Sequence, residues 1–428
     1  MKEIILIILQ ILFIIVIFSV SFLQLNKKIS INSLGLIEKT SMNLIFTLNI
    51  FLLLSFSKIN LNFLYYIFFF INFIILLIYK IKNNKNYNFS INFFLLFLIT
   101  FLLSIDLAGN LYLGWDAKIF WYLKSLNFYE NQSFENLKNI PAFDYPHLGS
   151  YLWYLFWKYP FDKYEYHGRI FYVFLYVFSV LLFFENLRIN KFKKIIFILS
   201  TIILTYSYTN FSGNQEILVF SLIIIATKYS FYLFYNDKKI NRVEIIVVIL
   251  GIANLLAWIK NEATFFALIL IYTLLFTAKL NRKEKIIFIL GSLLIILVKL
   301  LVFWKFQMTL TSFEFENTFN EISLTGLINK TKIIIFYLVA YIIQIPIYLI
   351  SALAIFFIIF NYKLDNLKLY ILFFGLLNFF FIIIAFLFAM EDVEWQSRVG
   401  MKRVLFQTSG FYLISILYLI KKSKKLFK

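Results

Sequence analysis

The sequence predicts an all-α polytopic membrane protein, and three observations lead to that fold class. The 428 residues are 62% hydrophobic, with a mean hydropathy of +0.85, an apolar content that would make a soluble domain aggregate. Apolar runs recur along the chain at the length of about 20 residues that one helix needs to cross a hydrocarbon core about 30 Å thick. The alternating pattern of membrane β-strands is missing from the sequence. We therefore expect a helical bundle.

The apolar runs predict about thirteen transmembrane helices. Residues 1–90 form an N-terminal region of about three spans, and residues 91–428 hold the rest. The first run, Ile4 to Leu25, is longer than a signal-peptide core and ends at Lys27 and Lys28 without a small-residue cleavage site, so we expect a retained span. The expected spans lie near 4–25, 41–57, 63–79, 91–109, 169–184, 195–209, 217–235, 245–259, 263–278, 286–304, 333–360, 369–389 and 404–420.

Charge predicts which loops share a side of the membrane. The formal net charge is +19, with 41 Lys and Arg against 22 Asp and Glu. The basic residues collect in alternate short loops, as positive-inside topology requires, and this distribution argues against nucleic-acid binding. The remaining carboxylates lie mostly in the opposite set: 110–168, 210–216, the hairpin Lys260 to Glu262, 305–332 and 390–403. We therefore expect any chemistry on the outer face.

Other residue types narrow the possible chemistry. The chain contains no Cys, which excludes disulfides, thiolate metal sites and a thiol nucleophile. Lys228 and Lys299 fall inside predicted spans, where we expect them to snorkel toward an interface. His147 and His167 are the two histidines, too few on their own for a histidine metal site, so a loop histidine is the favoured interpretation of His147.

The outer segment 110–168 begins with the most informative stretch, Gly114 to Trp121. Residues 117–129 have helical periodicity, which predicts a helix lying in the membrane interface. Asp116 stands at the start of that helix, where a carboxylate can serve as general base toward an acceptor hydroxyl or amine. The alternative is a solvated loop Asp beside interfacial Trp anchors. The apolar stripe of the helix comprises Phe120, Trp121, Leu123 and Leu126.

Short motifs follow Asp116 in a fixed order through the rest of the chain. They are Trp115-Asp116-Ala117 with Trp121, then Asp144-Tyr145-Pro146, Tyr164 to Arg169, Gly213 to Leu218 with Glu216, Trp258 to Ala263 with Lys260 and Glu262, and Arg403 before the last span. In order and topology this set resembles the GT-C fold glycosyltransferases, in particular the bacterial relatives of protein O-mannosyltransferases and of the lipid A aminoarabinose transferase. The resemblance runs from about residue 91 to the C-terminus.

The resemblance implies an inverting transfer of a sugar from a polyprenyl-phosphate donor to a glycan, lipid or protein acceptor, on the outer face of the bacterial inner membrane. It makes Asp116 the catalytic base and Lys260, Arg403 and Arg169 the cations that hold the phosphate. Glu216, Glu262, Tyr145 and Trp121 would shape the substrate site. The resemblance implies no particular cofactor: the leaving phosphate is stabilised by basic groups or, in some members, by a divalent metal ion. Two positions depart from the family: Glu216 replaces an Asp, and His147 replaces a Pro.

Several alternatives stay open at the level of sequence. Asp144 fits a turn-former ahead of Pro146 better than a second base. Lys260 with Glu262 fits a local ion pair, and Arg403 fits an outer-face stop before the last span. For the whole chain, the competing functions are an O-antigen polymerase or ligase type of enzyme, which usually has a late Arg-rich loop, and a transporter or flippase of lipid-linked sugars, which needs charged residues along the mid-bilayer path.

Overall fold

The fold is a bundle of helices, and the described part of the chain contains no strand. The predicted all-α polytopic class is therefore confirmed. The computed structural model describes residues 2–19, 36–56, 65–67, 69–75, 91–131, 133–185, 187, 190–209, 211–235, 241–308, 324–388 and 392–422. Among these residues, ten helices are long and apolar enough to cross a membrane, which identifies an integral membrane protein.

The predicted span near 63–79 lies partly outside the described residues, which include 65–67 and 69–75 of it, so the total of about thirteen spans stays a prediction. The α-helices are α1 (Lys2–Ser19), α2 (Leu36–Ser55), α3 (Ile91–Gly109), α4 (Tyr122–Tyr129), α5 (Leu148–Lys158), α6 (Tyr166–Phe183), α7 (Lys191–Thr209), α8 (Glu216–Phe234), α9 (Arg242–Ile259), α10 (Asn261–Thr277), α11 (Arg282–Lys305), α12 (Leu324–Gln344), α13 (Pro346–Asn361), α14 (Asn366–Leu387), α15 (Val393–Tyr412) and α16 (Ile414–Lys422).

The centre of the bundle is formed by α6 and α8. Every residue of α6 is buried, and α8 lies between α6, α9 and α15. Lys228 of α8 is buried, and its Nζ donates to the carbonyls of Phe183 at 3.0 Å and Glu185 at 2.6 Å. These carbonyls lie at the C-terminal end of α6, where the last turn has no intrahelical donors. Lys228 thus caps the end of α6 with an ammonium group that is buried in the protein and not solvated at an interface, as snorkelling would require.

The outer helices present apolar side chains to the surroundings. On α11, a stripe at intervals of four, three and four residues is more than half exposed: Leu290, Leu294, Leu297 and Leu301. A stripe of exposed apolar side chains along one face of a helix is typical of a face that contacts lipid.

Two predicted spans differ from the observed helices. The segment predicted as one span over 333–360 is interrupted at Ile345, and α13 restarts with Pro346 as its first residue. Proline lacks an N–H and pushes the preceding residue out of the helical region, so a helix can begin at Pro346 but cannot run through it.

The last predicted span, 404–420, begins earlier than expected, because α15 already starts at Val393. Arg403 therefore projects from the middle of a helix and not from a loop.

The outer segment 110–168 is largely helical. A π-helical turn, Ala117–Trp121, continues into α4, so the expected helix over 117–129 is present. A short 3-10 helix, Phe134–Asn139, follows. The last helix of the segment, α5, is not predicted by the sequence analysis. Its residues from Leu148 to Trp157 are all buried. It packs against α6, and Gln10 of α1 donates to the carbonyl of Phe156 at 2.7 Å.

The close contact of α5 with α6 predicts a strong effect of Gly168→Ala. A Cβ at Gly168 would lie 2.1 Å from the backbone oxygen of Trp153, which cannot move without displacing α5. Overpacking of this kind costs about 1–3 kcal/mol. We expect a lower melting temperature in detergent, followed by tryptophan fluorescence. Gly109→Ala is the matched control, since nothing lies within 4 Å of its added Cβ; equal melting of the two variants would contradict this packing.

Candidate functional site

Five of the predicted site residues form one connected set of ion pairs, here called the charge network: Asp116, Glu216, Lys260, Glu262 and Arg403. Lys260 Nζ lies 3.0 Å from Glu216 Oε1 and 2.7 Å from Glu262 Oε1. Arg403 Nε donates to Glu216 Oε1 at 2.8 Å, and its Nη2 contacts both Glu216 Oε1 and Asp116 Oδ2. Asp116 and Arg403 are 287 residues apart in sequence, so the fold alone brings them together.

The turn that carries Glu216 is held tightly against the loop that carries Asp116. The N–H of Gly114 donates to the carbonyl of Ser212 at 2.9 Å. Gly213 has a φ of +84°, a left-handed conformation that favours glycine. A Cβ at Gly213 would also lie 2.5 Å from the Trp153 ring. Glycine is therefore required there on both grounds.

The acidic members of the charge network begin helices. Glu216 is the first residue of α8, and Glu262 lies in the first turn of α10. A carboxylate at a helix N-terminus is stabilised by the positive end of the helix dipole. Lys260 stands between α9 and α10 in extended conformation, which lets its side chain reach both carboxylates.

Helix α15 supplies Arg403 and, one turn later, Gln407. Residues at i and i+4 lie on the same face of a helix, and Gln407 Nε2 donates to Glu262 Oε1 at 3.3 Å. Gln407 extends the charge network and was missed from sequence. Its spacing from Arg403 could have indicated it, but the predicted span began only at residue 404.

Arg403, Glu262 and Asp116 are the more accessible members of the charge network. Their side chains are 31%, 21% and 20% exposed, whereas those of Glu216 and Lys260 are each 7% exposed. Within the described residues, Arg403 Nη1 makes no hydrogen bond. The arrangement therefore pairs a partly exposed carboxylate, that of Asp116, with a partly exposed guanidinium, that of Arg403, beside the more deeply buried ion pair of Glu216 and Lys260.

Lys260 is held in its charged form. Burial alone would lower the pKa of its ammonium group, but the carboxylates of Glu216 and Glu262 raise the pKa above its usual value. It serves the network as a fixed positive charge and cannot act as a base. Lys299, expected to snorkel, lies close by: its Nζ donates to Asn261 Oδ1 at 3.0 Å and Thr264 Oγ1 at 2.9 Å.

Tyr145 and Trp121 line the neighbourhood of the charge network. Their rings are in edge contact, with centroids 5.8 Å apart. Burial, together with the nearby Glu262 carboxylate, raises the pKa of Tyr145 to about 12. Its hydroxyl therefore stays protonated at neutral pH and can donate a hydrogen bond. Trp121 is 1% exposed and its carbonyl accepts from Ser125 and Ser150, which makes it part of the core beneath Tyr145.

Lys124 fixes the loop that carries Tyr145, and it was not singled out from the sequence. It is fully buried, and its Nζ donates to the carbonyls of Ala142 at 2.6 Å and Tyr145 at 2.7 Å. Burial lowers the pKa of Lys124 to about 7, although the charge of Asp144 acts in the opposite direction. Lys124 lies in the predicted helix over 117–129 but outside its apolar stripe, so a buried position was not expected.

Arg169 lies apart from the charge network. Its side chain is fully buried and forms a two-bond ion pair with Glu165. Its Nη1 donates to the carbonyls of Tyr112 and Phe211 at 3.2 and 3.1 Å. These carbonyls belong to the loop before Asp116 and the turn before Glu216. Arg169 therefore braces the two segments from a fully buried position.

His147 and Asp144 lie beside the site without joining the charge network. His147 is buried among aromatic rings and bonds Ser55 Oγ through Nε2 at 2.6 Å, and burial holds its pKa well below the usual range. The backbone carbonyl of Asp144 accepts from Asn261, in keeping with a residue that shapes a turn. In the described part of the chain, no group of three or more His, Cys, Asp or Glu side chains is placed to hold a metal ion.

Comparison with known proteins adds no assignment. No family model, curated protein or solved structure matches this chain.

The buried Lys124 predicts a pH-dependent stability. Its folded pKa is about 7, whereas an unfolded lysine titrates near about 10.4. Between these values the unfolded chain binds more protons, so stability rises with pH; below pH 7 both states are protonated and the burial penalty remains in full. We expect the difference in melting temperature, wild type minus Lys124→Met, to increase from pH 7 to pH 10.

The exposed Lys138 of the same outer segment provides the control. The corresponding difference for Lys138→Met should not change with pH. If the Lys124→Met difference is equally flat, the buried environment described for Lys124 is wrong.

Proposed function

We propose that this chain is an inverting glycosyltransferase that moves a sugar from a polyprenyl-phosphate donor to a cell-envelope acceptor on the outer face of the membrane. The observation that carries this proposal is the charge network, in which the partly exposed carboxylate of Asp116 is paired with the partly exposed guanidinium of Arg403 at the end of a membrane-spanning bundle. A base and a phosphate-binding cation are the two groups that such a transfer needs. The order of motifs resembling the GT-C enzymes supports the same reaction.

In this proposal Asp116 is the general base. Its Oδ2 accepts the proton of the acceptor hydroxyl or amine as that atom attacks the anomeric carbon of the sugar. The bond from the anomeric carbon to the phosphate oxygen breaks, and the polyprenyl phosphate leaves with the bonding electrons. A single displacement inverts the configuration, so one catalytic carboxylate is enough.

Arg403 is the proposed binding group for the donor phosphate. Its Nη1, which makes no hydrogen bond within the described residues, offers two N–H donors, and a guanidinium bonds two phosphate oxygens with good geometry. The charge that develops on the leaving phosphate is stabilised most by a cation fixed in advance. Glu216 holds Arg403 in place, while Lys260 pairs with Glu216 and Glu262, and Gln407 donates to Glu262.

Donor binding and base release are linked in this arrangement. Asp116 Oδ2 accepts a hydrogen bond from Arg403 Nη2. A bound phosphate competes for the same guanidinium, because both groups are anions on one cation. The donor therefore frees Asp116 to accept the acceptor's proton only when there is a sugar to transfer.

Replacement of Asp116 by Asn tests the proposed base. We expect transfer from a panel of polyprenyl-phosphate sugars, measured in proteoliposomes, to fall by about 10²–10⁴-fold, because a general base contributes that much to rate. Asp106→Asn makes the same chemical change at an exposed position ten residues earlier, and should leave the rate unchanged. Near-normal transfer by a folded Asp116→Asn protein would refute the assignment.

A second prediction separates binding from transfer. Arg403→Gln should weaken binding of polyprenyl phosphate roughly ten-fold or more, because a hydrogen bond to a charged group is worth about 1.5–3 kcal/mol. Asp116→Asn should bind the same ligand more tightly than wild type, since it removes the competing anion. Binding is measured by thermophoresis of the purified protein.

Lys402→Gln is the matched control for Arg403. Lys402 is the adjacent cation, but its Nζ lies over the Tyr208 ring at 5.1 Å and outside the charge network, so binding should stay at the wild-type level. Weaker binding by Asp116→Asn would rule out the competition between phosphate and carboxylate.

A further inference from the structure

A cavity of about 540 Å³ lies at the opposite end of the bundle from the charge network. It lies between the C-terminal end of α8 and the N-terminal ends of α9, α11 and α14. Because Glu216 begins α8 and Phe234 ends it, the cavity is roughly 27 Å from the charge network at about 1.5 Å per residue. Its volume is in the range of small-ligand sites, about 300–1,000 Å³. It is a separate site, at the other membrane face.

The acidic groups of this cavity are already paired within the protein. Glu284 Oε1 accepts from Arg242 Nε at 2.9 Å, and Glu284 Oε2 accepts from the backbone N–H of Asn281 at 2.9 Å. Asp365 has both oxygens occupied as well. Its partners are the backbone N–H of Lys368 at 2.9 Å, the Tyr418 hydroxyl at 3.0 Å and Lys422 Nζ at 3.1 Å. The carboxylates are therefore not available to bind a cation.

The polar groups of the cavity wall that have no partner within the described residues are mainly hydrogen-bond donors. Lys279 lines the cavity, and within the described residues its ammonium has no hydrogen bond or ion pair. The Asn281 oxygen is used to cap α11 through Glu284 N–H at 2.8 Å, which leaves its amide nitrogen. Unused N–H donors and positive charge fit a ligand with anionic oxygens.

The rest of the lining fits a ligand at the edge of a membrane. Leu233, Phe234 and Leu367 form an apolar side of the cavity, next to the polar groups. We propose that this cavity binds a phosphate group held by Lys279 and Asn281, either as the headgroup of an anionic phospholipid in that leaflet or as free phosphate. This ligand site is independent of the proposed transferase reaction.

Native mass spectrometry of the full chain tests this site, with phosphatidylglycerol as the probe and diacylglycerol, which lacks the phosphate, as the reference lipid. We expect wild type to retain one phosphatidylglycerol in preference to diacylglycerol, and Lys279→Ala to lower its affinity roughly ten-fold, the effect of one lost charge-assisted bond. Lys283→Ala removes an exposed lysine in the first turn of α11, a residue that does not line the cavity. This variant should bind the lipid as wild type does. Lys279→Arg should restore binding.

Inorganic phosphate distinguishes the two sources. If millimolar phosphate binds and displaces the lipid in a Lys279-dependent way, free phosphate is a ligand of the site; if it does not compete while the lipid still depends on Lys279, the ligand is the headgroup. Equal lipid affinity of Lys279→Ala and Lys283→Ala, or equal retention of diacylglycerol, would overturn the site. The melting temperature of each variant shows whether a loss of binding reflects a loss of fold.

Discussion

One carboxylate oxygen, Glu216 Oε1, joins the two cations on which the candidate site depends. It accepts from Lys260 and from Arg403, and through Arg403 it is connected to Asp116. Each charge buried here has lost several kcal/mol of hydration, and removal of one partner leaves the other uncompensated. The network therefore ties α8, the α9–α10 hairpin, α15 and the outer segment to one another, although these elements are far apart in sequence.

A second layer of buried cations holds the backbone of the same segments. Arg169 binds carbonyls that precede Asp116 and Glu216, and Lys124 binds carbonyls on either side of Asp144. In both cases a long cationic side chain satisfies loop carbonyls that would otherwise be buried without donors, an omission that costs about 1–3 kcal/mol for each group. The irregular backbone of these segments can then be buried beside the charge network.

The sequence predicted which residues form the site better than it predicted how those residues pair. Charged residues are rare in an apolar chain, so Asp116, Glu216, Lys260, Glu262 and Arg403 could be singled out, and the apolar run of α3 predicted its bounds of 91–109. The pairing of these residues is decided by contacts between distant segments, which no local pattern encodes. Gln407 carries no charge, and Lys124 lies outside the apolar stripe of the predicted helix over 117–129, so both were missed. Arg169 was chosen for its charge, but its place inside α6 makes it a brace.

The charge balance of the site links donor binding to proton transfer under the proposed function. Three carboxylates, those of Asp116, Glu216 and Glu262, face two cations, Lys260 and Arg403, so the network already carries one excess negative charge. A bound phosphate adds another. Glu216 and Glu262 are fixed by buried partners, which leaves Asp116 as the carboxylate that can separate from Arg403. When Asp116 then takes the acceptor's proton it becomes neutral, and the charge of the leaving phosphate is offset within the same site.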